Sequence, residues 1–399
     1  MSLDLTKIAS QAGSMVARLK EGRAERQQRL QYARQIFGDE TIDLEKLKRK
    51  VAVSRTTWLV AELTDGLAGQ YPPPDLPADF TVLATDGSHI DVDRHRATRC
   101  YLINIGAVAL RYGGEPDALL DSVPHLYAED EDLVIKPAAA SGREQMVEGT
   151  LLGIKRAVEE CRHLSTLVAQ QPPGSSTLAL LDGSLILWGL EAFPDFVSEA
   201  LLDNGFLPCL EEMRKQNQDK KMALASYISF PRSTDVVNVL RVAICPHEVA
   251  DCDRFCPPHK ERDCEGVAGV TDRELFMDVL EAGERSALFI SPSKITRERY
   301  GEHRVYFFYL RLEEEVARVE LPRWVAENPE LLDTAHALLL DQCRRGHGYP
   351  VALSEAHEQA VVTSADRAEF WQLVESLCVE EKIPTLTSAK SFSKVTRWV

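Results

Sequence analysis

Two aspartates recur in the same local setting. Val82-Leu83-Ala84-Thr85-Asp86-Gly87-Ser88 and Leu180-Leu181-Asp182-Gly183-Ser184 each place a carboxylate where an apolar run gives way to glycine. A carboxylate at the end of a buried strand is costly unless a cation neutralises it. Two of them on neighbouring strand ends suit hard divalent cations, and ions about 3.5 to 4 Å apart clamp the attacking and leaving oxygens of a phosphodiester. One Asp-Gly-Ser alone also fits a plain turn capped by its aspartate. The repetition after two apolar runs favours the metal site. Such a site needs a further carboxylate, and Glu148, with Glu144 four residues earlier on the same expected helical face, supplies it; a solvated helix face fits the same pair. In Gly348-Tyr349-Pro350-Val351-Ala352-Leu353-Ser354-Glu355-Ala356-His357, Ser354 is expected to cap a helix with His357 in its first turn. His357 would ligate metal or steer phosphate and Tyr349 would orient substrate, while an ordinary surface histidine has the same spacing.

The elements that must hold these residues follow from periodicity. Charged, helix-prone segments at Met15–Phe37 and Leu44–Leu67 form an N-terminal helical arm, residues 1–75, closed by Tyr71-Pro72-Pro73-Pro74. Strands are expected at Phe80–Thr85, Tyr101–Tyr112 and Ser122–Tyr127, then a helix from Ser141 to about Ala169. There follow a strand at Thr177–Leu181, a helix over Asp195–Gln216, a strand at Met222–Ile228 and a short helix over Asp235–Val242. This β-β-β-α-β-α-β-α order implies an α/β fold with a mixed central sheet and helices on both faces, suited to a ribonuclease-H-like core. Further strands are expected at Ala287–Ile290 and Val305–Leu312, and helices at Pro329–Arg345 and Ser354–Leu377. The core domain spans 76–380, and a basic tail carrying Lys390, Lys394 and Arg397 spans 381–399.

The chain of 399 residues is 44% hydrophobic, enough for a large core. With 46 Lys and Arg against 62 Asp and Glu, its net charge of -16 excludes a nucleic-acid coat protein and leaves room for an enzyme with a confined basic channel. Met1–Gly22 lacks the apolar stretch of a signal peptide and no run of eighteen apolar residues occurs, so a cytoplasmic location is expected. Of nine cysteines, Cys245, Cys252, Cys256 and Cys264 crowd a charged stretch with His247 and His259, within an insertion at about 244–270. A structural zinc or iron-sulfur site and a set of free thiols both fit that spacing.

Together these segments resemble the NurA family of DNA repair nucleases. The likeness rests on Asp86-Gly87-Ser88-His89-Ile90, Asp93-Arg94-His95 and Tyr101-Leu102-Ile103-Asn104-Ile105-Gly106. It continues through Leu180–Ser184, Ser226-Tyr227-Ile228-Ser229 with Pro231-Arg232-Ser233, and ends at Tyr349-Pro350, Leu353 and Glu355-Ala356-His357. The ordered set, covering roughly 80 to 365, carries the specificity that no single motif has. The resemblance implies a Piwi-related, ribonuclease-H-like fold. It also implies a Mn²⁺-dependent (or Mg²⁺-dependent) nuclease on single- and double-stranded DNA, exonuclease, endonuclease or both. Family members act as homodimers with the hexameric ATPase HerA at DNA ends in double-strand break repair. By the same resemblance Asp86, Glu148 and Asp182 bind metal, Tyr349 and His357 complete the site, and Tyr227, Arg232 and Ser233 form a DNA-facing loop. Glu144 remains an alternative to Glu148. A ribonuclease-H-like scaffold that binds nucleic acid without cutting it is the rival.

Overall fold

The structure, a computed structural model, describes residues 4–64, 66–93, 96, 98–137, 142–217, 220–257 and 262–383. Ser141, Arg94, His95, His259 and the basic residues of the tail lie outside them. Two compact units emerge: residues 73–228, 295–305 and 320–399 form the larger, and residues 1–72, 229–294 and 306–319 the smaller. The units do not divide at 75 as expected, because residues 229–294 and 306–319 group with the N-terminal segment.

In the larger unit, strands Phe80–Ile90, Tyr101–Tyr112 and Asp117–Tyr127 form an antiparallel meander, and Ser176–Asp182 and Met222–Ile228 add in parallel beyond the first strand. The spatial order is thus third, second, first, fourth, fifth, the mixed sheet of a ribonuclease-H-like core. Its inner strands read Val82-Leu83-Ala84, Leu178-Ala179-Leu180 and Met222-Ala223-Leu224-Ala225, all buried. Such unbroken apolar runs suit strands covered on both faces. Helix Thr150–Ala169 lies against one face, where Thr85 Oγ1 donates to Glu160 O at 3.0 Å. Helix Val351–Ala360 lies against the other, where Asp86, one residue on, meets His357. Alternation of side chains along a strand requires this separation.

Three local expectations are corrected. The first strand does not stop at Thr85: its parallel pairing with the Asp182 strand ends there, but its antiparallel ladder to Tyr101–Tyr112 runs on from Asp86↔Gly106 to Ile90↔Leu102. The helix expected from Ser141 begins at Thr150, because Gln145–Met146 pairs with Val134–Ile135 as a small hairpin. Glu144 and Glu148 are therefore not on one helical face. Ser354–Leu377 is two helices, Val351–Ala360 and Ser364–Glu380, the second opened by a Thr363/Asp366 capping box.

The smaller unit holds a 33-residue helix, Leu5–Phe37, capped by Asp4, which buries only Ala33, Ile36 and Phe37. The next helix, Leu44–Ala52, ends well before Leu67, and Glu62–Leu63 instead pairs with Phe289–Ile290 as a short strand. Phe37, Leu47, Leu240, Phe276, Phe289, Phe307 and Tyr309 share one core. Its buried charges are paired: Arg318 donates to Asp235 at 2.8 Å, and Asp272 accepts from the amides of Val236 and Val237 and from the Tyr309 hydroxyl. No described helix is long and apolar enough to cross a membrane.

Candidate active site

The register places the two aspartates. Thr85 pairs with Leu181 in the parallel ladder, so Asp86 and Asp182 stand next in line on adjacent strands with their side chains on one face. Strands lie about 4.8 Å apart, so the carboxylates are neighbours.

The chain after the sheet delivers two more residues to that face. Gln342 Oε1, buried in helix Pro329–Arg345, accepts from Ala352 N–H at 3.1 Å and so caps the first turn of the His357 helix, the task expected of Ser354. His357 consequently falls in the second turn, not the first. At the far end Asn104 Nδ2 donates to the carbonyls of Gln359 and Ala360 at 3.1 and 3.0 Å, and Ser88 Oγ also donates to Ala360 O. Between these anchors the helix rests on Gly106, where a Cβ would lie 2.0 Å from Ala356 O. Glycine opposite Asp86 is thus what lets the helix approach. His357 Nδ1 stands 2.7 Å from Asp86 Oδ2 as donor to the carboxylate, with the imidazole side chain itself 63% exposed.

Tyr349 donates its hydroxyl to Asp182. Burial, and then the Asp182 charge, hold the Tyr349 hydroxyl far above its ordinary pKa, so it remains a donor. Protein crowding pushes the Asp182 pKa up although the residue keeps solvent access; the Asp86 charge adds to this, and Tyr349 and the Gly183 amide oppose it. Tyr227, expected on a DNA-facing loop, is instead fully buried at the end of its strand beside Asp182. Its ring meets Tyr349 edge-on at 5.5 Å and its hydroxyl donates to Gly348 O at 3.4 Å. It supports Tyr349 and does not face outward.

Glu160 is the carboxylate that sequence reasoning missed. It rises from the opposite face at Gly87, where a Cβ would come 2.7 Å from Glu160 Oε1. Burial pushes its pKa up to about 8, Arg156 pulls it down, and Asp86 and Asp182 each push it further up. Arg156 Nε is 3.0 Å from Glu160 Oε1, an ion-pair distance, yet the two are misaligned for a hydrogen bond and that oxygen has none. A sequence signal existed: Glu160 falls in the apolar stripe with Leu164 and Leu167, at i, i+4, i+7. An acid there is buried unless the helix turns away from the core. Glu148 stands before the helix, half-buried, its carbonyl accepting from Leu151 N–H at 3.2 Å.

Of the remaining residues, Arg232 is exposed in the smaller unit, beside Phe230, an exposed aromatic at φ 49° with the Arg273 guanidinium 3.5 Å over its ring. Ser233 is turned inward, its hydroxyl 2.8 Å from the Tyr309 hydroxyl. Ser184 also has a structural partner: it donates to the buried carboxylate of Glu320 at 2.8 Å. Cys252 and Cys256 bracket one helical turn, and burial, then the neighbouring Cys256 and Cys264, pushes the Cys252 thiol pKa up. Cys245 is separately held, its carbonyl accepting from Lys50. None of the nine cysteines is in a disulfide. Among the described residues no three His, Cys, Asp or Glu side chains are drawn together as they stand into a closed ligand set, at the cysteines or at the aspartates.

A family model of the NurA domain matches residues 80–362. The chain belongs to the NurA family, a family of nucleases. The matched NurA segment includes Asp86, Glu160, Asp182, Tyr349 and His357, and excludes the long first helix. The chain is also similar to a solved structure, the NurA nuclease from Sulfolobus solfataricus, with 12% identity and a TM-score of 0.48 over 96% of this chain and 98% of that one. No curated protein matches.

Proposed function

We propose that the chain is a divalent-metal-dependent deoxyribonuclease that hydrolyses phosphodiester bonds of single- and double-stranded DNA. The observation that carries the proposal is the in-register pair Asp86 and Asp182 with the buried Glu160 coupled to both. Burial first, and then the Asp86 and Asp182 charges, hold the Glu160 pKa at about 8, so it keeps its proton at neutral pH. A cation would relieve this, and the Glu160 oxygen, ion-paired with Arg156 but accepting no aligned hydrogen bond, would be a ligand atom for it. Asp86, Asp182 and Glu160 would hold Mn²⁺ or Mg²⁺, with His357 at the rim tilting the choice toward Mn²⁺. The ion would supply Lewis-acid stabilisation of charge on the phosphate oxygens. His357 orients Asp86 and is the exposed group placed to move a proton to or from the departing oxygen. Tyr349 fixes the Asp182 carboxylate. Arg232 and Phe230 would meet a DNA strand through phosphate pairing and base stacking.

In the cell we assign it to DNA ends in double-strand break repair, in the cytoplasm, as a homodimer with a HerA-type hexameric ATPase; this rests on family membership and the order of the site segments along this chain. Digestion of labelled linear and single-stranded DNA with Mn²⁺, Mg²⁺ or EDTA tests the activity, with Asp86→Ala as control. Cation-dependent loss of DNA in the wild type alone is expected; DNA bound but uncut under every condition would leave a scaffold instead.

A further inference from the structure

Strand Asp117–Tyr127 closes one side of the sheet in the larger unit, and among the described residues its outer edge pairs with no strand. Eleven residues long and regular in its ladder to Tyr101–Tyr112, it leaves Leu119, Leu120 and Leu126 48%, 41% and 51% exposed. Long edges with apolar side chains are templates for another strand unless blunted.

The direction of its backbone groups can be read from two observations. Pro124 has no N–H, and within a sheet proline is tolerated on an edge with that side facing out. By the period of two, the amides of residues 118, 120, 122 and 126 then also face out. Two of them bear this out: Ala118 N–H donates to its own neighbour Asp117 at 3.0 Å, and Ser122 N–H to Asp121 at 2.9 Å. These aspartates occupy amides that have no strand to donate to.

We propose that this edge pairs antiparallel with the same strand of a second copy, about a twofold axis at Val123. The inference rests on the dimer assigned above and names its surface. Outward amides must face outward amides, which restricts the axis to a residue rather than a gap. An axis at Asp121 sets that carboxylate against itself, and one at Ser122 leaves Leu126 opposite Ala118 and Leu119 opposite His125. The axis at Val123 alone among these sets Leu120 against Leu126 of the partner subunit, Asp121 against His125 of the partner subunit and Leu119 against Tyr127 of the partner subunit. Every exposed leucine gains an apolar neighbour and each aspartate at the centre gains a histidine, the kinds of cross-strand pair that stabilise sheets. Ser122 N–H passes from Asp121 to the Pro124 carbonyl of the partner subunit, which frees Asp121 for the histidine. The missing Pro124 amide leaves one bond per strand unmade.

Odd-numbered residues form the pairs without mutual hydrogen bonds, so the two Val123 Cα atoms would lie about 4.5 Å apart, within disulfide reach. The test combines sedimentation over a concentration series with Val123→Cys under mild oxidation, wild type serving as control for the native thiols. A wild-type dimer is expected, with a covalent dimer in V123C only. Leu120→Asp with Leu126→Asp should weaken association roughly tenfold or more while circular dichroism shows the protomer still folded. A dimer that V123C fails to trap and the double variant fails to weaken would overturn this surface while leaving the dimer standing. A wild type monomeric at all concentrations would overturn both.

Discussion

Asp86-Gly87-Ser88 continues as strand to Ile90, whereas Asp182-Gly183-Ser184 leaves its strand at the aspartate, with Gly183 at φ 83°. Identical tripeptides thus take different conformations, and the neighbours decide which. The first copy has an antiparallel partner that runs on beyond it, and the second does not. The glycines differ in purpose as well. Gly87 makes room for Glu160 and Arg156, while nothing lies within 4 Å of a Cβ at Gly183 and only the turn requires it. The serines tie down different parts: Ser88 holds the end of the His357 helix, and Ser184 satisfies the buried Glu320. A repeated motif therefore shares one chemical task, the carboxylate, and divides the structural ones.

Substituting the aspartates probes the shared task and carries the largest effect. Asp86→Asn and Asp182→Asn should each lower the turnover of linear DNA by roughly 10²–10³-fold, the scale of losing one preorganised electrostatic group. The double variant should lose little more, because groups acting as a unit are non-additive. Losses that multiply would show that the two aspartates work separately.

At Glu160 the sign of a pH effect is fixed. Its folded pKa, about 8, exceeds the ordinary 4.5, so its protonated form adds stability that is complete at low pH and is lost as pH rises toward 8. Cation binding runs the other way, requiring the proton to leave, and should tighten up to about pH 8. Glu160→Gln should flatten both trends, melting higher than wild type at pH 8 to 9 and binding Mn²⁺ more weakly by calorimetry. Unchanged Mn²⁺ affinity in that variant would remove Glu160 from the site.

The glycines separate the two copies. Gly87→Ala must displace the Glu160 carboxylate and should lower activity about tenfold or more with modest loss of stability, given how steeply catalysis depends on sub-ångström placement. Gly183→Ala should mainly cost stability, roughly 1 kcal/mol for a side chain held at positive φ, with activity near wild type. Equal activity losses at both would mean that the Gly87 gap is not what admits Glu160.

Smallest in activity is the serine pair. Ser184→Ala removes a donor from a buried carboxylate and should cost about 1–3 kcal/mol in urea denaturation. Ser88→Ala should cost less stability, since Asn104 still holds the same helix end, and should show instead as a loosened His357.

Much of the core was legible because its physics is local. Runs rich in Val, Leu, Ile and Ala marked Tyr101–Tyr112 and Met222–Ile228 at the bounds observed, and Tyr349 and His357 stood out as reactive types bracketing a helix start. One break was written in the chain but read through, since the Thr363/Asp366 capping box announces a helix at Ser364, and the Thr271/Glu274 box announces a helix at Asp272 where none was expected. Glu160 was passed over because an exposed glutamate is the default, and only its place in an apolar stripe argues otherwise.

The sequence by itself determined the kinds of strand and helix, the order of the core and the two aspartates, since apolar periodicity and turn residues act over a few neighbours. Tertiary structure alone decided that Thr85 stands beside Leu181, that Gly106 admits the His357 helix to Asp86, and that Glu160 reaches the pair through Gly87. Those outcomes depend on register and on close packing between segments far apart in the chain, where a missing Cβ is visible only from the element that fills its place.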